Sequence, residues 1–202
     1  MMDQWLNPHR RVGRGSTLRW AAALRPFVEA LLGGPAVLFQ DLLLDKRSQH
    51  GSFHWHQDFP FWPVDRPRGL VVWLALDSLS EVSGGLRLGR GVASECGPAI
   101  DLHTGGPQPG FEERTVAPPT SWIVPTLRAG DAIVFLPLTW HGSGENRSGA
   151  LRRVWASTWL ASEVRWRHAA APRHPMVTRF IDGELVGSGG WAPLVEASTC
   201  GD

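Results

Sequence analysis

His54, His56 and Asp58 place three potential metal ligands in five residues, at alternating positions. Successive side chains of a β-strand point to opposite faces, so a strand here would put all three on one face. An imidazole and a carboxylate two residues apart make up two-thirds of the 2-His-1-carboxylate set. That set binds one face of an octahedral Fe(II) and leaves the opposite face for a bidentate co-substrate and O2. It needs a second histidine, on a strand that folds back beside the first. His141 meets the need: it ends the apolar run AIVFLPLTWH and precedes a Gly-Ser-Gly turn. A dicarboxylate co-substrate then needs a cation on the next strand, where LRRVWASTWL offers Arg152 and Arg153. The two must face opposite ways. With Arg152 inward, its face carries Val154, Ala156 and Thr158, a small lining; with Arg153 inward, Trp155 and Trp159 would have to fit beside it. Arg152 is sterically easier, and a guanidinium forms a two-point pair with a carboxylate.

These residues need elements to hold them. Residues 1–15 are polar and basic and read as a tail or an arm. Ser16-Thr17 can cap a helix running through LRWAAALRPFVEALL, stopped by Gly33-Gly34-Pro35 and kinked or split at Pro26. From Ala36 the texture is that of strands: AVLFQDLLL, SFHWHQDF, GLVVWLALDSL, LRLGRG, SWIVPTL, AIVFLPLTWH and LRRVWASTWLA, separated by Gly- and Pro-bearing turns. Asp45 to Gly51 reads as a polar loop. Residues 94–121 are rich in Gly, Pro, Thr and acidic residues without periodicity, which predicts a functional loop or lid. No repeat and no domain boundary is visible, so the expectation is one mainly β domain over 1–202, with a core at about 36–160 and a flanking N-terminal helix.

Composition narrows the function classes. A chain of 202 residues can bury a substantial core, and a formal net charge of +1 argues against nucleic acid and membrane surfaces as partners. Lys46 is the only lysine. The two cysteines, Cys96 and Cys200, lie too far apart in sequence for a CxxC zinc site or a disulfide framework. The first residues lack the apolar stretch of a signal peptide and no run is long enough to span a bilayer, so the expected location is cytoplasmic. Oligomeric state leaves no mark on the sequence.

The combined pattern resembles the phytanoyl-CoA dioxygenase family of Fe(II)- and 2-oxoglutarate-dependent oxygenases. His56-Gln57-Asp58 is similar to its H-x-D, including the middle Gln. Ser83-Gly84-Gly85-Leu86 resembles its N-G-x-L turn. Gly130-Asp131, an apolar strand and His141-Gly142-Ser143-Gly144-Glu145-Asn146 resemble its G-D-x(n)-H-G-S-G-x-N, and Arg152 follows His141 by eleven residues, as the family's arginine does. The match spans roughly residues 36–160. The resemblance implies a double-stranded β-helix, that is, a cupin-like jelly-roll. It implies that His56, Asp58 and His141 bind iron, that Arg152 and Ser143 hold the distal carboxylate of 2-oxoglutarate, and that Trp73 lies beside that co-substrate. It implies hydroxylation or another oxidation of a C–H bond of a small molecule, in bacterial secondary metabolism, with O2 consumed and ascorbate as an aid in vitro. The intact Asp58 argues against halogenation. Two departures bear on substrate recognition: Gly89-Arg90-Gly91-Val92-Ala93 stands where the family has P-G-S-H, and the N-terminal helical region is short.

Other residues carry weaker readings. His54, Lys46 and Gln40 are candidate substrate contacts; the plainer alternatives are packing, a solvated lysine and a strand-edge amide. Trp55, Trp62 and Trp140 either line a pocket or fill the core. His50, His103, His168 and His174 read as surface or loop residues. Arg87 and Arg90 either face the site mouth or sit on a solvated turn, and the segment RFIDGELVGSGGW could close over the site. Two rival functions remain at this stage: an inactive jelly-roll binding protein, and a cupin-type metal enzyme that does not use 2-oxoglutarate.

Overall fold

The computed structural model describes residues 3–8, 16–49, 51–91, 94–109, 111, 115–174 and 177–188. One helix and nine strands occur among them: β1 (Asp3–Leu6), α1 (Ser16–Leu32), β2 (Ala36–Lys46), β3 (Phe53–His56), β4 (Gly69–Ala75), β5 (Leu86–Gly89), β6 (Trp122–Ile123), β7 (Ala132–Phe135), β8 (His141–Ser143) and β9 (Arg152–Ala161). They form two antiparallel sheets, ordered β1-β2-β9-β4-β7 and β3-β8-β5-β6. This is an open-edged jelly-roll sandwich with one helix on its outside.

The large sheet is buried on both faces, which explains its nearly continuous apolar strands. Along β9, Val154, Ala156 and Leu160 enter the core between the sheets, while Trp155 and Trp159 join Leu38, Leu70 and Val72 of the sheet against Ala21 and Val28 of α1. Helix α1 ends where Gly33 takes φ +74, with its N–H and that of Gly34 both donating to the Glu29 carbonyl. Pro26 lies inside this helix without splitting it.

A β-bulge in β2 sets what the core contains. Val37 pairs with Leu160 and Leu38 with Trp159, but the register slips by one residue before Gln40 meets Thr158. An extra residue reverses the side-chain parity of everything that follows. Val37 and Phe39 face the inter-sheet core before the bulge, and Leu44 faces it after. Gln40, Leu42, Leu44 and Lys46 thereby pair with the inward residues Thr158, Ala156, Val154 and Arg152.

Three sequence expectations are corrected here. The presumed tail contains β1, paired with Leu42 to Asp45. The loop expected from Asp45 begins later, because β2 runs through Lys46. The segment 179–188 packs on Trp166, with Phe180 stacked at 3.7 Å, and does not line the site cavity; 189–191 lie outside the described residues. The described residues of 94–121 form no regular element before the strand that starts at Trp122, beyond an isolated bridge between Ile100 and Pro107.

Candidate metal centre

β3 and β8 pair so that Phe53 faces Ser143 and His56 faces His141. Three residue steps on β3 match two on β8, so β3 carries a bulge. Phe53 and His56 consequently share the inner face, and the expected alternation of 54, 56 and 58 fails. His54 is exposed, its ring lying against Gly105, and it does not line the cavity. Asp58 has left the strand: it takes helical dihedrals before the 3-10 turn Phe59–Phe61, and its N–H donates to the Pro137 carbonyl at 3.1 Å. That turn swings its carboxylate back over the two imidazoles.

His56 Nε2 and His141 Nε2 lie 3.9 and 3.6 Å from Asp58 Oδ1, and one potential ligand atom from each residue lies within 4.8 Å of the others. Each ring is oriented by its other nitrogen. His56 Nδ1 lies 2.8 Å from the His54 carbonyl and His141 Nδ1 2.9 Å from the Thr139 carbonyl. A carbonyl can only accept, so Nδ1 carries the proton and Nε2 presents a lone pair inward, the tautomer a metal requires. Burial, with His141 nearby, holds His56 down at about 3, and burial holds His141 down at about 4. Both are neutral at physiological pH. Burial pushes Asp58 up to about 6. A half-buried carboxylate against two neutral imidazoles has no cation of its own among the described residues, and a divalent metal would supply one.

The cavity at this triad is also lined by Trp73, Ser143 and Arg152. Arg152 is 2% exposed. Its Nη2 donates to the Gly84 carbonyl at 3.0 Å and its guanidinium carbon lies 5.4 Å from the Trp73 ring centroid. Its Nε and Nη1 are buried without a hydrogen-bond partner among the described residues. Native interiors rarely leave such donors unmet, and an Nε/Nη edge is the fork that pairs with a carboxylate. The donors therefore fit a carboxylate co-substrate. Arg153 points outward onto Asp77, at 2.8 Å. Gly84 makes the arrangement possible: it has φ +71, and a Cβ there would stand 2.6 Å from the Gly144 carbonyl oxygen.

The remaining sequence candidates divide. Gln40 lines the cavity and its Oε1 accepts from His174 Nε2 at 3.4 Å. His174 is a half-buried loop residue; it stacks on Phe39 at 5.2 Å, and burial lowers it to about 4. Lys46 is fully buried behind the lining rather than solvated. Trp62 is in the core, Trp140 borders a separate cavity beside Gly89 and Arg90, and Trp55 pairs with Trp122; none of the three lines the site. The Arg87 guanidinium lies over Gly144. His103 is exposed, His168 lies 3.1 Å from the Phe180 carbonyl, and His50 is outside the described residues.

Two supporting residues escaped the sequence reading. Gln57, fully buried, donates to the carbonyls of Glu95 and Leu138 at 3.1 and 2.7 Å and accepts from the Gly97 N–H. It ties the ligand turn to the 94–121 segment. Asn146 donates to the carbonyls of Lys46 and Ala150, both at 2.8 Å, and so fixes the β8–β9 turn on β2. Their place inside the two ligand motifs was the available signal.

The phytanoyl-CoA dioxygenase family model matches residues 5–154. This chain belongs to that family. Its members are non-haem iron- and 2-oxoglutarate-dependent oxygenases, and that is the class of this enzyme. Solved structures share the fold. The epimerase SnoN, crystallised with Fe3+, alpha-ketoglutarate and nogalamycin RO, is 19% identical with a TM-score of 0.67 over 95% of this chain and 72% of its own. The carbocyclase SnoK from nogalamycin biosynthesis is 17% identical, TM-score 0.69, over 92% and 72%. EctD from S. alaskensis, with 2-oxoglutarate and 5-hydroxyectoine, is 21% identical, TM-score 0.68, over 91% and 66%. No curated protein matches the chain. No helix among the described residues is long and apolar enough to cross a membrane.

Proposed function

We propose that His56, Asp58 and His141 hold Fe(II), that Arg152 and Ser143 hold the distal carboxylate of 2-oxoglutarate against Trp73, and that the enzyme oxidises a C–H bond of a neutral, largely apolar small molecule. The observation that carries this reading is the buried Arg152 edge, unpaired in the same cavity as two neutral, pre-oriented imidazoles and a carboxylate. Iron bound there supplies the oxidative decarboxylation of 2-oxoglutarate by O2 to succinate and CO2, coupled to oxidation of the substrate. The chain's own residues orient and exclude. The carbonyls of His54 and Thr139 hold the two rings in one tautomer. Arg152 directs the co-substrate by its far end. Phe53, Leu42, Leu44 and Leu102 keep water from the remaining space.

The substrate class rests on the wall. Apart from Asp58 and Arg152, the described lining residues carry no formal charge, and the polar groups facing the free volume are the amides of Gln4 and Gln40 and the Thr158 hydroxyl. A polyanionic CoA moiety finds no described cation there. A compact natural product offering hydrogen bonds to amides fits, in keeping with the antibiotic-pathway proteins that share the fold. The chain acts as one cytoplasmic catalytic domain with 94–121 as its lid; Leu102 in the wall and Phe111 against Phe61 support that role.

Anaerobic addition of Fe(II) and 2-oxoglutarate, followed by visible absorption and metal analysis, tests the reading. One iron per chain with a co-substrate-dependent charge-transfer band is expected, both lost in His56→Ala and His141→Ala. Iron retained in either variant refutes the ligand assignment.

A further inference from the structure

Residues 99–108 form a hairpin that bonds mainly to itself. Ile100 bridges Pro107, and the Asp101 carbonyl accepts from the Gly105 N–H. The Asp101 carboxylate accepts from the N–H groups of His103 and Thr104 at 3.0 and 2.8 Å. Among the described residues, one hydrogen bond ties this hairpin to the rest of the chain: the His54 N–H donates to the Leu102 carbonyl at 2.9 Å. Two ring contacts flank that bond. Gly105 lies against the His54 imidazole; its φ is +75, and a Cβ there would stand 2.8 Å from Nδ1. The His103 ring lies 5.4 Å from that of Phe53. Leu102, set between these contacts, is part of the cavity wall. The β3 bulge makes His54 available for this. It has no partner on β8, so its N–H is left over for the hairpin, while its carbonyl takes the Nδ1 proton of His56 at 2.8 Å.

We infer that His54 is a positioning residue that latches the hairpin 99–108 over the cavity and couples the closed lid to the orientation of the iron ligand His56. The inference rests on the iron reading above and extends it to a residue outside the cavity. A histidine that only filled space would leave its backbone groups to the strand ladder. Here the N–H serves the lid and the carbonyl serves a ligand ring. A segment held by one hydrogen bond opens locally at small free-energy cost. Releasing His54 would therefore admit substrate past Leu102 without unfolding either sheet. It would also free the carbonyl that fixes the tautomer and angle of the His56 ring. His141 supplies the contrast: its Nδ1 proton goes to the Thr139 carbonyl, on the turn between β7 and β8, which has no hydrogen bond to the hairpin among the described residues.

Amide hydrogen exchange and histidine-ring NMR of the Zn(II)-loaded protein test this in Gly105→Ala and His54→Ala. The first sets a methyl group against the imidazole; the second removes the ring and keeps the backbone. In both, protection of the residue 54 amide is expected to fall about tenfold or more, with β9 amides at wild-type rates. The His56 Nδ1 proton signal is expected to shift and exchange faster while that of His141 stays. Unchanged protection at residue 54 in both variants overturns the latch. A fall with both ring signals unmoved, or with both moved alike, overturns the coupling to His56. Loss of β9 protection in both variants makes these residues structural and overturns the inference as a whole; loss in one leaves the other to decide. Wild-type protein that takes up no Zn(II) refutes the ligand assignment instead, and the same signals in metal-free protein then decide the latch.

Discussion

Replacing Arg152 by leucine should uncouple stability from co-substrate binding, in opposite directions. The guanidinium is 2% exposed, has one hydrogen bond, to Gly84, and leaves two nitrogens unmet. Burial lowers it well below the usual guanidinium range, to about 10, and at about 1.4 kcal/mol per unit that is about 3 kcal/mol against the charged form. A lowered pKa on a cation means that the fold disfavours the charge it carries at neutral pH. Leucine removes that penalty and loses about 1 kcal/mol with the Gly84 bond. The ligand-free variant should therefore gain about 2 kcal/mol, roughly 4–8 °C in Tm for a chain of this size. Co-substrate binding behaves the other way. Removing one partner of a buried, hydrogen-bonded charge pair costs about 3–5 kcal/mol, a loss of more than about hundredfold in 2-oxoglutarate affinity. Wild-type protein at about 100 times Kd should gain about 2.7 kcal/mol from the ligand, and the variant none. Thermal unfolding with Zn(II), with and without 2-oxoglutarate, reads both effects. A ligand-free variant that melts well below wild type would show that Arg152 serves the fold. A variant that keeps the ligand-induced shift would place the anchor elsewhere.

Three further outcomes follow from the same geometry. Asp58 stands at about 6 in the metal-free fold, so between about pH 4 and 6 it holds a proton that the unfolded chain has released, but His56, His141 and His174, held down to about 3, 4 and 4, are neutral in the fold and protonated in the unfolded chain over the same window; the three imidazoles outweigh the one carboxyl, and metal-free stability should rise with pH through that window. A metal displaces that proton, so Zn(II) affinity measured by calorimetry should rise with pH to about 7 and then level, and a flat profile would contradict the assignment. Gln57→Ala removes three buried hydrogen bonds and should cost about 3 kcal/mol in denaturant unfolding, with faster proteolytic cleavage within 94–109 than elsewhere. Gly84→Ala sets a Cβ 2.6 Å from the Gly144 carbonyl at φ +71, and should lose at least about 2 kcal/mol in the same assay together with 2-oxoglutarate affinity; near-wild-type behaviour would mean that the Arg152 acceptor turn is not fixed.

Local chemistry made much of this protein readable from its residues. Period-two alternation identified β9 and turned Arg152 inward, because Trp155 and Trp159 could not share its face with a ligand. The helix over 16–32 followed from its apolar spacing and its glycine stop, and the order H-x-D, H-G-S-G-x-N, Arg carried the family, the fold and the cofactors. What local pattern could not reach was parity across a bulge. Simple alternation put His54 beside His56, and the polar run from Asp45 to Gly51 read as a loop that ended β2 before Lys46. Long-range pairing of β3 with β8 and of β2 with β9 inserts one extra residue in each strand. Each insertion reverses every side chain beyond it, exposing His54 and burying Lys46 beside Arg152. Asp58 reaches the two imidazoles from a turn pinned by the Pro137 carbonyl, a partner 79 positions along the chain (137 minus 58), and β1 exists only because the edge of β2 is there to receive it. Residue types and order specify which groups can do the chemistry. Which of them meet depends on hydrogen bonds between strands far apart in sequence, and no local pattern encodes those.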